Sequence, residues 1–207
     1  MAKTDAQAVY AFAHGAGAGM NHPFMQRAAE ALEARGIAAY RFNFPYMEAQ
    51  KSRPDSPAVA EEAVRKAVAE AARHHPGLPI LAGGKSFGGR MTSQAQAAQP
   101  MPGVRGLVFF GFPLHPPGKA GKSRADHLMS VDVPMLFLQG TRDEFAQLEL
   151  LREVVDGLGE RATLHLLEEG DHSFKVPKKR TGKTEADVMD ELADTIQQWA
   201  KQCRIIG

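Results

Sequence analysis

Six short apolar runs, separated by stretches with helical periodicity, constrain this chain more than any other feature of it. The runs are "AVYAFAHG" from Ala8, "IAAYRFNF" from Ile37, "LPILAGG" from Leu78, "VRGLVFFGF" from Val104, "VPMLFLQG" from Val133 and "ATLHLLEE" from Ala162. Several are apolar on both faces, as strands buried inside a parallel sheet are. Between them lie helices. Asn21 opens one, with Phe24, Ala28 and Leu32 inward and Gly36 closing it. Ser56 and Pro57 start another, whose inward face reads Val59, Ala63, Val64, Ala67, Val68 and Ala71. Thr184 with Asp187 has the form of a capping box, ahead of a stripe of Val188, Leu192, Ile196 and Trp199. Strand–helix alternation predicts an α/β fold in three layers, a mostly parallel sheet of about six strands with helices on both faces. Such sheets carry their sites beyond the carboxyl ends of the strands.

Composition narrows the partners. With 207 residues and no internal repeat, low-complexity tract or linker, one domain over 1–207 is expected. A formal net charge of +1 argues against a nucleic-acid partner. The N-terminal "MAKTDAQAVY" lacks a signal-peptide core, and no run reaches the roughly 18 apolar residues of a membrane span, so a cytoplasmic protein without a membrane partner is expected. The lone Cys203 excludes a disulfide framework and any cysteine-rich metal site; no metal or cofactor is expected. Oligomeric state is left open.

The stretch "ILAGGKSFGGRM", Ile80 to Met91, admits two chemistries. "GGKS" looks like the end of a phosphate-binding loop, but that loop needs a glycine five residues before Gly84, where Pro79 stands at the start of the strand. "GKSFG" fits the G-x-S-x-G nucleophile elbow, in which a strand runs through a sharp turn into a helix and holds a serine outward. Gly84 and Gly88 flank Ser86 where side chains would block the approach of strand and helix.

A serine nucleophile needs a base, and the base an orienting acid. Asp143, in "TRDEF", follows the fifth run, and His172, in "GDHSF", follows the sixth, so both fall beyond strand ends and in the order serine, acid, histidine. Glu144 is the poorer substitute for Asp143. Asp132 precedes its strand, and Asp171 adjoins His172 too closely to orient its ring. His165 lies within a strand, and His74 and His75 precede one; these read as packing or surface residues. The glycine-rich "AHGAGAGMNHP" after the first run offers backbone N–H groups for an oxyanion hole: Ala16, with Gly17 as the alternative, together with Phe87 after the serine. His14 is placed to orient that loop.

With these residues in place, the chain resembles the α/β-hydrolase superfamily. Within it, it resembles a small hydrolase-like family related to dienelactone hydrolases that includes testis-expressed protein 30 and a subunit of the non-specific-lethal complex. The blocks "HGAGAGMNHPFM", "RFNFPYME", "GGKSFGGRM", "GFPLHPPGK", "QGTRDEF" and "GDHSFK" carry the likeness over nearly the whole chain. The resemblance implies Ser86, Asp143 and His172 in the triad positions. Dienelactone hydrolases proper use cysteine as nucleophile, so lactone specificity does not carry over.

The expected function is hydrolysis of a small-molecule ester or thioester through an acyl-enzyme on Ser86. Only "PLHPPGKAGKSRADHLMSVD" separates Phe112 from Val133, too short for a lid domain, so an open site taking small or protruding acyl groups is expected. Phe112, Leu114 and Phe174, with His14, form a candidate substrate rim, Phe87 a further apolar wall. Two basic runs, Lys119, Lys122 and Arg124, then Lys175, Lys178, Lys179, Arg180 and Lys183, read either as solvated loops or as a positive rim favouring acidic esters or an acidic partner. The competing classes are a non-catalytic interaction module on the same fold and a peptidase.

Overall fold

A computed structural model describes residues 5–207. All six apolar runs are strands: β1 (Ala8–Ala13), β2 (Ile37–Phe42), β3 (Ile80–Lys85), β4 (Val104–Phe110), β5 (Met135–Gly140) and β6 (Ala162–Leu167). They form one sheet in the order β2-β1-β3-β4-β5-β6, every pair parallel. The helices are α1 (Pro23–Glu33), α2 (Pro45–Glu48), α3 (Pro57–His74), α4 (Phe87–Ala98), α5 (Leu148–Leu158), α6 (Lys178–Thr181) and α7 (Glu185–Gln202).

Alternate strand residues supply two cores. Val9, Ala82, Leu107, Phe109 and Phe137 face α3, α4 and α5, which contribute Val64, Val68, Met91, Ala95 and Leu151. Tyr10, Phe12, Leu81, Val108, Phe110 and Leu138 face α1 and α7, which contribute Phe24, Leu32, Val188, Leu192, Ile196 and Trp199. The chain leaves β1 toward β2 on one side and later enters β3 on the other. Crossovers from β1 and β3 therefore run to opposite faces and leave a crevice above the two strand ends.

The helix starts differ in detail from the sequence reading. Asn21 does not cap α1; His22 does, its Nδ1 accepting the Phe24 N–H at 3.2 Å, with Pro23 in the first turn. A proline in the first turn needs no N–H partner, which fixes the start at this position. Ser56 occupies the N-cap of α3 without a side-chain bond. Val59 is 45% exposed, and Ala60 takes the inward place in register with Val64, Ala67, Val68 and Ala71. The Thr184–Asp187 capping box forms in both directions. The segment between β4 and β5 packs Leu114, Ala125 and Leu128 into the core through a 3₁₀ turn (Ser123–Ser130) beside α4 and α5. Among the described residues no helix is long and apolar enough to cross a membrane.

The two valines of α3 make the burial pattern testable. Val64→Ala should cost about 2 kcal/mol, the lost transfer energy of two carbons plus a residual cavity. Val59→Ala should stay within about 0.5 kcal/mol of wild type. Urea midpoints at constant m-value measure both; equal losses would refute this phasing of the helix.

Candidate active site

Ser86 sits between the end of β3 and the start of α4 with φ 49° and ψ −112°, a left-handed conformation that a non-glycine residue holds only under constraint. The constraint is contact with β1. A Cβ on Gly84 would lie 2.2 Å from the Ala13 carbonyl oxygen, and one on Gly88 would lie 2.5 Å from that of His14. A side chain at Gly84 would force β3 away from β1, and one at Gly88 would force α4 away from the end of β1. The Ser86 N–H donates to Phe110 O at 3.0 Å, and the Ser86 carbonyl accepts the Arg90 N–H, so both sides of the turn are tied down.

The loops after β5 and β6 bring Asp143 and His172 to this serine. His172 Nε2 lies 2.9 Å from Ser86 Oγ, and His172 Nδ1 lies 2.7 Å from Asp143 Oδ2. The Asp143 carboxylate is fully buried. Its Oδ2 also accepts from Gln139 Nε2 at 2.6 Å and its Oδ1 from the Phe145 N–H at 2.8 Å. Three donors thus hold one carboxylate in one orientation. With Nδ1–H donating to Asp143, the neutral ring presents Nε2 to the serine as an acceptor. Phe145 lies against the imidazole, centroids 4.2 Å apart. Glu144 is exposed, and Asp132 lies before β5, at the far end of the sheet. Asp171 builds the histidine loop instead, its Oδ1 accepting from the N–H groups of Ser173 and Lys175 at 2.8 and 2.9 Å.

The loop after β1 is pinned from beneath. Buried His14 donates from Nδ1 to Gly15 O at 2.8 Å, and its Nε2 accepts the Phe44 N–H at 3.1 Å. Burial pushes the His14 pKa down, in keeping with a neutral ring in that role. The Gly17 N–H is engaged by Tyr46 Oη at 3.3 Å, which removes Gly17 as the alternative donor and leaves Ala16 facing the cavity. Phe87 is the first residue of α4, where an N–H has no intrahelical acceptor.

A cavity of about 420 Å³ opens beside Ser86 and His172, bounded by the loop after β1, by α1, by the histidine loop and by α7. Of the four rim candidates only Phe174 lines it. His14, Phe112 and Leu114 are at most 1% exposed and belong to the packed interior, because the residues after β1 and β4 turn inward against the sheet. Phe87 packs on Phe44 in the opposite core. The cavity's apolar surface comes instead from Phe24, Met25, Phe145 and Met189. In the two basic runs Lys122 pairs with Glu153, Arg180 with Glu169, and Lys183 with Glu191.

Lys85, a mere spacer in the sequence motif, lines the cavity. Its Nζ donates to the His172 carbonyl at 2.5 Å and lies 5.9 and 5.3 Å from the ring centroids of Phe24 and Phe174. Desolvation lowers its pKa to about 8, with Asp143 and Asp171 acting in the other direction. A charged residue closing an otherwise apolar strand was the available signal for it, as the polar Gln139 closing "MLFLQ" was for the residue that orients Asp143.

The profile of the family described as the alpha/beta hydrolase domain matches residues 6–201. Among solved structures the chain is similar to a Xanthomonas campestris protein described as a member of the α/β serine hydrolases without lid, at 22% identity over 98% of this chain and 85% of that one, TM-score 0.72. It is similar to a dienelactone hydrolase from Anabaena variabilis, at 19% identity over 97% and 88%, TM-score 0.72. It is also similar to a monoacylglycerol lipase from Paleococcus ferrophilus, at 15% identity over 97% of each chain, TM-score 0.72. At these identities the likeness establishes the fold.

The Lys85 ammonium makes stability depend on pH in a definite sense. Its pKa falls from an ordinary 10.5 to about 8 on folding, so between those values the unfolded chain binds the extra proton. The stability linked to this residue is therefore flat below about 8 and rises toward 10.5. The unfolding free energy of wild type minus that of Lys85→Met should increase across that window. A difference that stays constant would mean the ammonium is not desolvated.

Proposed function

Because the chain belongs to the alpha/beta hydrolase domain family, we propose that it is a serine hydrolase cleaving a carboxylic ester or thioester through an acyl-enzyme on Ser86. The observation that carries this reading is the continuous path Ser86 Oγ, His172 Nε2, His172 Nδ1, Asp143 Oδ2, with steps of 2.9 and 2.7 Å across its two hydrogen bonds. In this reading His172 Nε2 takes the Ser86 proton as Oγ attacks the substrate carbonyl. Asp143 holds the tautomer and stabilises the imidazolium. The N–H groups of Ala16 and Phe87 receive the oxyanion, and His172 returns the proton to the departing alkoxide or thiolate. Water, deprotonated by the same Nε2, then attacks the acyl-enzyme and releases the acid and Ser86.

The open cavity suits a small acyl group or one that protrudes from the surface. Within the family we place the chain in the small branch related to dienelactone hydrolases that includes testis-expressed protein 30, on the blocks "GKSFGGRM" and "HPPGK".

Ser86→Ala should abolish both ester turnover and labelling by a fluorophosphonate. Asp143→Asn should lower kcat about 10⁴-fold, as expected when the histidine is left in the wrong tautomer. Glu144→Gln should leave kcat unchanged. These are read on a panel of aryl esters, thioesters and peptide amides. Wild-type protein that neither turns over the panel nor takes the label would favour the non-catalytic interaction module. Cleavage confined to the amides would favour a peptidase.

A further inference from the structure

Lys85 is a cation placed where an ordinary fold would not leave one. It points into the apolar layer between the sheet and helices α1 and α7, beside the stacked rings of Phe24 and Phe174, whose centroids are 5.8 Å apart. An ammonium has three N–H donors. Here one goes to the neutral His172 carbonyl. Among the described residues no carboxylate comes within ion-pair distance of Lys85. The aromatic faces offset part of the cost of burying the charge. Asp143 and Asp171 act on it only from beyond ion-pair distance and desolvation outweighs them, so this charge gains more from an anionic partner in direct contact than an exposed lysine does.

The surroundings point the same way. Arg27 and Lys175 also line the cavity, against one carboxylate, Glu185, which is 3.1 Å from Arg27. Lys175 belongs to the second basic run, whereas Lys85 and Arg27 lie outside both runs. The apolar side chains of Phe24, Met25, Phe174 and Met189 line the same cavity. A Cβ on Gly111 would lie 3.1 Å from Lys85 Nζ, 3.4 Å from Asp143 Oδ2 and 3.4 Å from His172 Cε1, so the ammonium stands beside the triad rather than at the cavity mouth.

We propose that the cavity selects esters bearing a carboxylate on a short apolar spacer, with Lys85 as the residue that reads the negative group. The inference rests on the serine-hydrolase reading above and adds the substrate class to it. Lys85 also holds the histidine loop by its carbonyl, so an anion drawn to its free donors is held close to the reacting serine.

The test compares matched ester pairs on the wild-type protein. The carboxylate is placed first on the acyl side (4-nitrophenyl hydrogen adipate against 4-nitrophenyl hexanoate), then on the alcohol side (3-carboxyphenyl butyrate against 3-methylphenyl butyrate). Uncatalysed hydrolysis is subtracted throughout. On at least one pair the anionic ester should have kcat/KM higher by about tenfold or more, the range of a charge-assisted hydrogen bond. Lys85→Met should bring that ratio to one or below, and Lys85→Arg should restore it. The proposal is overturned if neither pair shows a preference in wild type, which needs no variant to fold. It is overturned equally if the preference survives in Lys85→Met that still takes a fluorophosphonate label. Either result, with neutral esters still turned over, leaves the serine-hydrolase reading standing. Absence of turnover and labelling in wild type removes that reading itself.

Discussion

The close approach of β3 and α4 to the end of β1 is the constraint on which the site depends. Gly84 and Gly88 let the carbonyls of Ala13 and His14 come within distances that a Cβ would forbid. That contact forces Ser86 into its left-handed turn and presents Oγ above the sheet. A residue at such angles carries strain of roughly 1–3 kcal/mol, and it persists because the structure around it is over-determined. The over-determination is visible here as a strand pair on each side of the turn, a helix beginning on it and two glycines under it. The same contact draws the loop after β1 over the helix start, so nucleophile and oxyanion-hole candidates share one cause.

Most of this was legible in the sequence because it is written in local terms. Apolar runs of strand length, helical periodicity and glycines at fixed offsets from a serine all survive reading in one dimension. Asp143 and His172 were found by combining chain order with the rule that parallel sheets work at their carboxyl ends. The errors share a different character. His14, Phe112 and Leu114 lie near strand ends, a position that suggests a rim, yet whether a residue just past a strand turns in or out is decided by packing, which periodicity does not encode. Val59 shows the same limit in a helix, where a shift of one residue exchanges an exposed valine for a buried alanine. Asn21 lost the cap to His22 because the proline after it set the phase.

The polar residues that sequence reasoning passed over are those that act on other residues. Gln139 bridges the Phe112 N–H to Asp143, Asp171 folds the histidine loop, and Lys85 holds that loop by a carbonyl. Their partners share no single spacing: Asp171 bonds within its own loop, Gln139 reaches Asp143 four residues on and Phe112 across 27, and Lys85 reaches a carbonyl 87 residues away. Buried polar groups in an apolar run nonetheless need partners, and a glutamine or lysine ending such a run is a sign that one waits across the fold.

The order of the sheet has a consequence for how this protein would fail. Ser86 follows β3, a strand of the interior whose first five residues are all buried, whereas His172 follows β6, an edge strand with a single buried residue. Edges and long surface loops open at lower free energy than central strands. The reacting pair is therefore built on an interior strand and an edge strand of one sheet. Under heat or denaturant the histidine should swing away while the serine still sits on intact β3, and catalytic competence should disappear in a local opening before the molecule as a whole unfolds.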